Sequence, residues 1–172
     1  ILPKREITMR NKLIQIVESL TQPTQASAHC DIPCKIYDPS TAIIACLSLI
    51  RMVDLIEESK DGEQNAVWLH KISRFVAEKE RQGSILKEEI RIIWGDYFKK
   101  PQLEKFPEIH ELTHSIMLLA SKSKQEIDKV ASLELLEKVN RFAEIFWETK
   151  GIETKRAECP YPPAKKVTYP VL

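Results

Sequence analysis

The stretch from Ser40 to Glu58 limits the fold more than any other part of the chain. Ile43, Ile44, Leu47, Leu49, Ile50, Met52, Val53, Leu55 and Ile56 crowd together too closely for a single apolar stripe. As a helix they cover more than one face, and a helix apolar most of the way round is buried on most sides. Ser40 or Thr41 is placed to cap its start. The neighbouring segments carry narrower stripes. In residues 5–20, Met9, Leu13, Ile16, Val17 and Leu20 recur at helical spacing, and Pro23 ends the run. From Gln64 to Phe98 the helical pattern returns, with Gly83 as the expected bend or break and Lys99-Lys100-Pro101 as its end. Further helices are expected from Pro107 to about Ser121 and from about Leu133 to Thr149. The latter has Leu136, Val139, Phe142, Ala143 and Phe146 on one face and Gly151 beyond its end. No strand pattern, internal repeat or Gly-rich phosphate loop is visible. The expectation is an all-α fold, an antiparallel four-helix bundle with an additional N-terminal helix and an extended C-terminal tail.

Composition agrees and excludes several functions. A chain of 172 residues suffices for one core plus a tail or two, and only 4 glycines favour helices. A net charge of +1 provides no global field for nucleic acid or an anionic membrane. The longest uncharged apolar run, Pro39 to Ile50, is far below the roughly 20 residues of a membrane span. No transmembrane segment of its own is therefore expected. The setting is read as soluble, cytoplasmic or organellar, with the plastid and the periphery of a membrane complex left open. The tail from Ile152 contains Pro160, Pro162, Pro163 and Pro170 and cannot be helical. Order along its length calls for support from another chain, and the apolar face of 40–56 and the 1–22 segment are read as further surfaces for partners. These would make the protein a homo-oligomer or a subunit of a larger protein complex.

Four cysteines, Cys30, Cys34, Cys46 and Cys159, are too few and too uneven for a disulfide framework. Two of them lie in His29-Cys30-Asp31-Ile32-Pro33-Cys34-Lys35-Ile36-Tyr37-Asp38-Pro39. Two thiols, a histidine beside the first and a proline before the second make a compact metal hook. A single pair does not supply the four local ligands of a structural zinc site, and two reduced thiols are the plain alternative.

The hook resembles that of the nickel superoxide dismutases. Trp94-Gly95-Asp96-Tyr97-Phe98-Lys99-Lys100-Pro101, Phe106-Pro107-Glu108-Ile109-His110 and Ile145-Phe146-Trp147-Glu148-Thr149-Lys150 resemble further segments of that family, in order, so that the likeness covers about residues 26–150. The resemblance implies the family's four-helix bundle, a nickel ion and superoxide disproportionation. It implies His29, Cys30 and Cys34 as the metal ligands, with Asp31 and Tyr37 lining the approach as catalytic residues and Pro33 fixing the turn. It divides the chain into an N-terminal extension (1–28), the hook and bundle (29–151) and a Pro-rich tail (152–172). Three positions depart from the family pattern. In the family the histidine opens the mature chain and its α-amine binds the metal, whereas 28 residues precede His29 here. Ala26-Ser27-Ala28 looks like a small-residue cleavage site, although no continuous apolar core of a secretory signal precedes it. Lys35 stands where the family has glycine, and a backbone with φ > 0 there would be strained by a side chain. Ala45 aligns with the family's glutamate that holds the axial imidazole, and Arg74 with its supporting arginine. The uncleaved form is therefore expected to be inactive or weakly active. The alternative function is a catalytically inactive member serving as a structural subunit of a larger assembly.

His110-Glu111-Leu112-Thr113-His114 also matches the zinc-peptidase HExxH pattern, and Glu134 falls where a third ligand could lie. Its histidine belongs to the superoxide dismutase-like stretch, and no strand is expected to align a peptide, so coincidence is the preferred reading. Trp68, Trp94 and Trp147 read as core or interface aromatics, His70 as a packed or surface histidine, and Cys46 as a small hydrophobe.

Overall fold

Helix α1 forms where the apolar residues crowd, at Ser40–Glu58. Its first turn is capped from outside: the Asp38 carboxylate accepts the Ser40 N–H at 2.8 Å, in place of the expected Ser40 or Thr41 cap. The structure, a computed structural model, describes residues 35–172, so the 5–20 helix expected from the sequence lies outside the described residues. A seven-residue connection leads to α2, Ala66–Ile92, whose start is closed by the Asn65 side chain accepting the Trp68 N–H at 3.0 Å. A π-helical turn, Ile93–Tyr97, continues it. Then come short α3 (Lys100–Lys105), α4 (Ile109–Gln125) and α5 (Lys129–Thr149). The Asp128 carboxylate caps α5 by accepting the Ala131 N–H at 2.9 Å.

The four long helices close a ring in which α1 packs on α2 and α5, and α4 completes the contact between those two. Short connections between neighbours make this the antiparallel bundle expected from the sequence. Ala42, Ile43, Ala45, Cys46, Leu47, Leu49, Ile50, Val53 and Ile56 of α1 are all buried within the described chain. The expectation that this helix needs a partner to cover its apolar circumference is therefore corrected. The bundle and the segments beside it cover all but Ile44, Met52 and Leu55, of which Ile44 is the most exposed.

Two expectations about α2 and its C-terminal end also change. The helix runs straight through Gly83. A Cβ there would collide with the Lys124 side chain and stand 3.2 Å from Leu49, so the missing side chain serves close approach of α1, α2 and α4 rather than a bend. The ladder is disturbed at the π-turn instead. Pro101 does not merely end the helix; it sits in the first turn of α3, where its missing N–H costs nothing. Lys79 ties α2 to the end of α4. Its buried ammonium donates to the carbonyls of Ser123 (2.8 Å), Lys124 and Glu126 (2.9 Å).

The tail is extended, as expected, but it pairs with itself. β1 (Thr154–Glu158) and β2 (Lys166–Pro170) form an antiparallel hairpin, with Thr154 opposite Pro170 and Glu158 opposite Lys166. It docks on α5 through Asn140, which is fully buried. The Asn140 amide donates to the Lys166 carbonyl at 3.1 Å and accepts the Thr168 N–H at 2.9 Å, standing in for a third strand. Arg156 adds an ion pair to Glu144 at 2.7 Å and another to Glu137. The expectations of no strand and of external support for the tail are thus corrected: its backbone groups are satisfied by the hairpin and by α5. No helix among the described residues is long and apolar enough to cross a membrane.

Candidate metal centre

Of the residues assigned to the hook, His29, Cys30, Asp31 and Cys34 lie outside the described residues, as does Pro33. Tyr37 is described and is half-buried. Its ring lies 5.7 Å from that of Tyr97, tilted by 55°. Tyr97 in turn packs on Phe146 at 4.8 Å and edge-on against Phe98 at 5.3 Å. The Thr149 hydroxyl donates to the Phe146 carbonyl at 2.6 Å, so in the 2.5 Å contact with Thr149 it is the Tyr97 hydroxyl that donates. The Lys150 ammonium lies 4.8 Å from the Tyr97 ring centroid and 5.1 Å from that of Phe146, a cation–π cap on the cluster. Tyr97 is held by packing, by a hydrogen bond and by a cation, and it forms a fixed wall for Tyr37.

Lys35, the first described residue, has a φ of +58°. This is the left-handed region, which costs a residue with a Cβ roughly 1–2 kcal/mol. The strain expected from a lysine at the family's glycine position is present.

Trp94, on the π-turn, donates its indole N–H to His110 Nδ1 at 3.0 Å, with the rings edge to face at 5.7 Å. This places the proton of a neutral His110 on Nε2. The contact joins two of the sequence segments that resemble the superoxide dismutases, and it gives the first histidine of the HExxH pattern a structural partner. Among the described residues no three His, Cys, Asp or Glu side chains gather where a metal could sit.

The other positions singled out in the sequence separate. Ala45 is buried in the core at 2% exposure and offers a methyl group, with no acceptor for an imidazole. Arg74 lines a groove with Met52, which is seven residues or about 10 Å along α1 from Ala45. The structure does not bring the two together. Cys46 is fully buried and burial pushes its thiol far above the usual range. Cys159 is buried under the hairpin, its thiol donating to the Tyr161 carbonyl at 3.2 Å. In the sequence, Tyr97, Thr149 and Lys150 stand out only as parts of the matching segments, and nothing there foretells their cluster. Three residues drawn from the π-turn and from the end of α5 share no local spacing that could reveal it.

The described residues form a four-helix bundle with an aromatic cluster of Tyr37, Tyr97 and Phe146. The model of the family described as nickel-containing superoxide dismutase matches residues 24–150, and the chain belongs to that family. A protein of Streptomyces coelicolor named superoxide dismutase [Ni] is 35% identical over 124 residues, covering 72% of this chain and 89% of the relative. One from Streptomyces seoulensis with the same name is 34% identical over 126 residues, covering 73% and 91%. Among solved structures, a native nickel superoxide dismutase has a TM-score of 0.63 at 31% identity. A nickel-containing superoxide dismutase with the ligation of its oxidised state has 0.64 at 31%. Each of these structures is matched over 99% of its length by 72% of this chain. The hairpin, from Thr154 onwards, lies outside the residues matched by the family model.

Proposed function

We propose that the chain disproportionates superoxide at a nickel ion held by the hook, after cleavage between Ala28 and His29. The observation that carries this reading is the family match over 24–150, which includes every hook residue. The Cys30 and Cys34 thiolates, the His29 imidazole and the freed His29 α-amine would hold the ion. When bound, nickel supplies a centre that exchanges single electrons with superoxide, the thiolate donors bringing its higher oxidation state within reach. Two superoxide ions and two protons then give dioxygen and hydrogen peroxide. Asp31 and Tyr37 line the approach, and the Tyr37 ring is kept in place by Tyr97. Before cleavage the His29 nitrogen is an amide and a poor donor, so the uncleaved chain binds nickel weakly and turns over little.

A second reading, an inactive family member serving as a subunit of an assembly, draws on Ala45. Its buried methyl group leaves a metal-bound imidazole without the carboxylate that the family resemblance calls for, and losing such an orienting group commonly costs about 10–100-fold in affinity or activity. One experiment separates the readings. The full chain and a chain beginning at His29 are loaded with nickel, and bound metal and superoxide decay after pulse radiolysis are measured. One equivalent of nickel with rapid decay in the trimmed chain alone supports the proposal. Tight nickel binding and high activity with residues 1–28 attached overturn the processing requirement. A trimmed chain without activity leaves the subunit reading standing.

A further inference from the structure

The first half of α2 is uncovered. From Ala66 to Glu78 no residue is buried, whereas Lys79, Gly83, Leu86 and Ile90 are. Yet this half is not polar. Val67 is 77% exposed, Leu69 61% and Val76 40%, and Ile72 and Phe75 are only half-buried. Helices of about thirteen residues are marginal in water and rely on burying an apolar face. Val67, Lys71, Arg74, Glu78 and Arg81 succeed one another at spacings of four and three and so lie along one line of the helix. Together with Met52 of α1 and Phe75 they line a groove of about 640 Å³. From Val67 to Arg81 it extends about 21 Å, four turns of a helix.

The charges on the groove are unbalanced. Glu78 is the single carboxylate lining it, and Arg81 grips both of its oxygens at 2.8 and 2.6 Å. The Lys71 ammonium lies over the Phe75 ring at 5.6 Å, and neither Lys71 nor Arg74 has an ion-pair partner among the described residues. We propose that this groove docks an amphipathic helix of another protein, one whose apolar stripe is flanked by aspartate or glutamate. Apolar anchors at i, i+3/i+4 and i+7 would enter beside Met52, Val67 and Phe75, and the flanking carboxylates would meet Lys71 and Arg74. The same charges argue against two other occupants. A symmetric pairing of two copies through this face would bring the cations of one against the cations of the other. Residues 1–22 carry Lys4, Arg5, Arg10 and Lys12 against Glu6 and Glu18, four cations and two carboxylates, and so have the sign of the groove itself.

The test uses the full chain and two labelled 16-residue helical peptides with the same leucine stripe, one flanked by glutamates and one by lysines. Fluorescence anisotropy should show the glutamate peptide binding at least tenfold more tightly than the lysine peptide. Lys71→Glu combined with Arg74→Glu should reverse that preference, and Val67→Asp should weaken both peptides without altering far-UV circular dichroism. Both substituted faces are exposed, so the bundle should persist in each variant. Equal affinity for the two peptides, or none for either, overturns the proposal. So does self-association of the full chain that Arg74→Glu abolishes, which would assign the face to a second copy. A more than tenfold gain in peptide affinity on deleting residues 1–22 would assign it to the chain's own N-terminal segment and overturn the proposal equally.

Discussion

Replacing Asn140 with leucine should release the hairpin while leaving the bundle folded. Leucine is close to asparagine in size but can neither accept the Thr168 N–H nor donate to the Lys166 carbonyl, bonds of 2.9 and 3.1 Å in the structure. Thr168 is 3% exposed, so its N–H would lose its partner in a place water does not reach. A buried group left unsatisfied costs about 1–3 kcal/mol. Lys166 is exposed as a residue, so its carbonyl is charged with only part of that penalty. The sum is about 2–4 kcal/mol, imposed on the docked state alone. With a factor of ten for each 1.4 kcal/mol, the undocked population rises roughly 30- to several-hundred-fold.

Cys159 reports the change directly. It is 2% exposed beneath the hairpin and becomes accessible on undocking, whereas Cys46, fully buried between helices with its thiol pushed up by burial, should stay protected. In a chain carrying Cys30→Ser and Cys34→Ser, the rate of thiol labelling at Cys159, followed by mass spectrometry, should rise by that factor in Asn140→Leu, and labelling at Cys46 should not. Cys159 labelling within threefold of the parent, with an unchanged melting temperature, would refute the reasoning. Equal acceleration at both cysteines would show that the hairpin and bundle open as one unit.

Two further outcomes are expected. Lys79→Met leaves the carbonyls of Ser123, Lys124 and Glu126 without their donor and should lower stability by about 2–4 kcal/mol, read from the urea midpoint with the slope unchanged; an unaltered midpoint would count against Lys79 as the tie between α2 and α4. Hydrogen bonds from Arg81 and then Gln82 hold the Glu78 carboxyl down at about 2, so its NMR titration should have a midpoint near that value and move toward the ordinary glutamate range, about 4.3, in Arg81→Gln. Because the folded-state value lies below the unfolded one, the contribution of this pair to stability is present above the unfolded value and is lost as pH falls through about 2; being exposed, it amounts to under about 1 kcal/mol.

The positions of the long helices are legible in the sequence itself. Periodicity is a local property, and in α5 Leu136, Val139, Phe142, Ala143 and Phe146 are all buried on the face the pattern predicted. The family was legible too, because the hook and three later segments are short runs of adjacent residues. The features that needed the folded molecule depend on residues far apart in the chain. The strands show almost no apolar alternation, since only Val167 and Thr168 of β2 are buried, and the strand-like partner is the side chain of Asn140, 28 residues away. Gly83 reads as a hinge until Lys124 and Leu49 are seen to converge on it. Whether the apolar circumference of α1 needs a partner depends on how many neighbours surround it, and its own bundle covers nearly all of it. The aromatic cluster around Tyr37 was hidden for the same reason. Tyr37, Tyr97 and Lys150 are separated by 60 and 53 residues and meet only because the end of α5 lies against the π-turn.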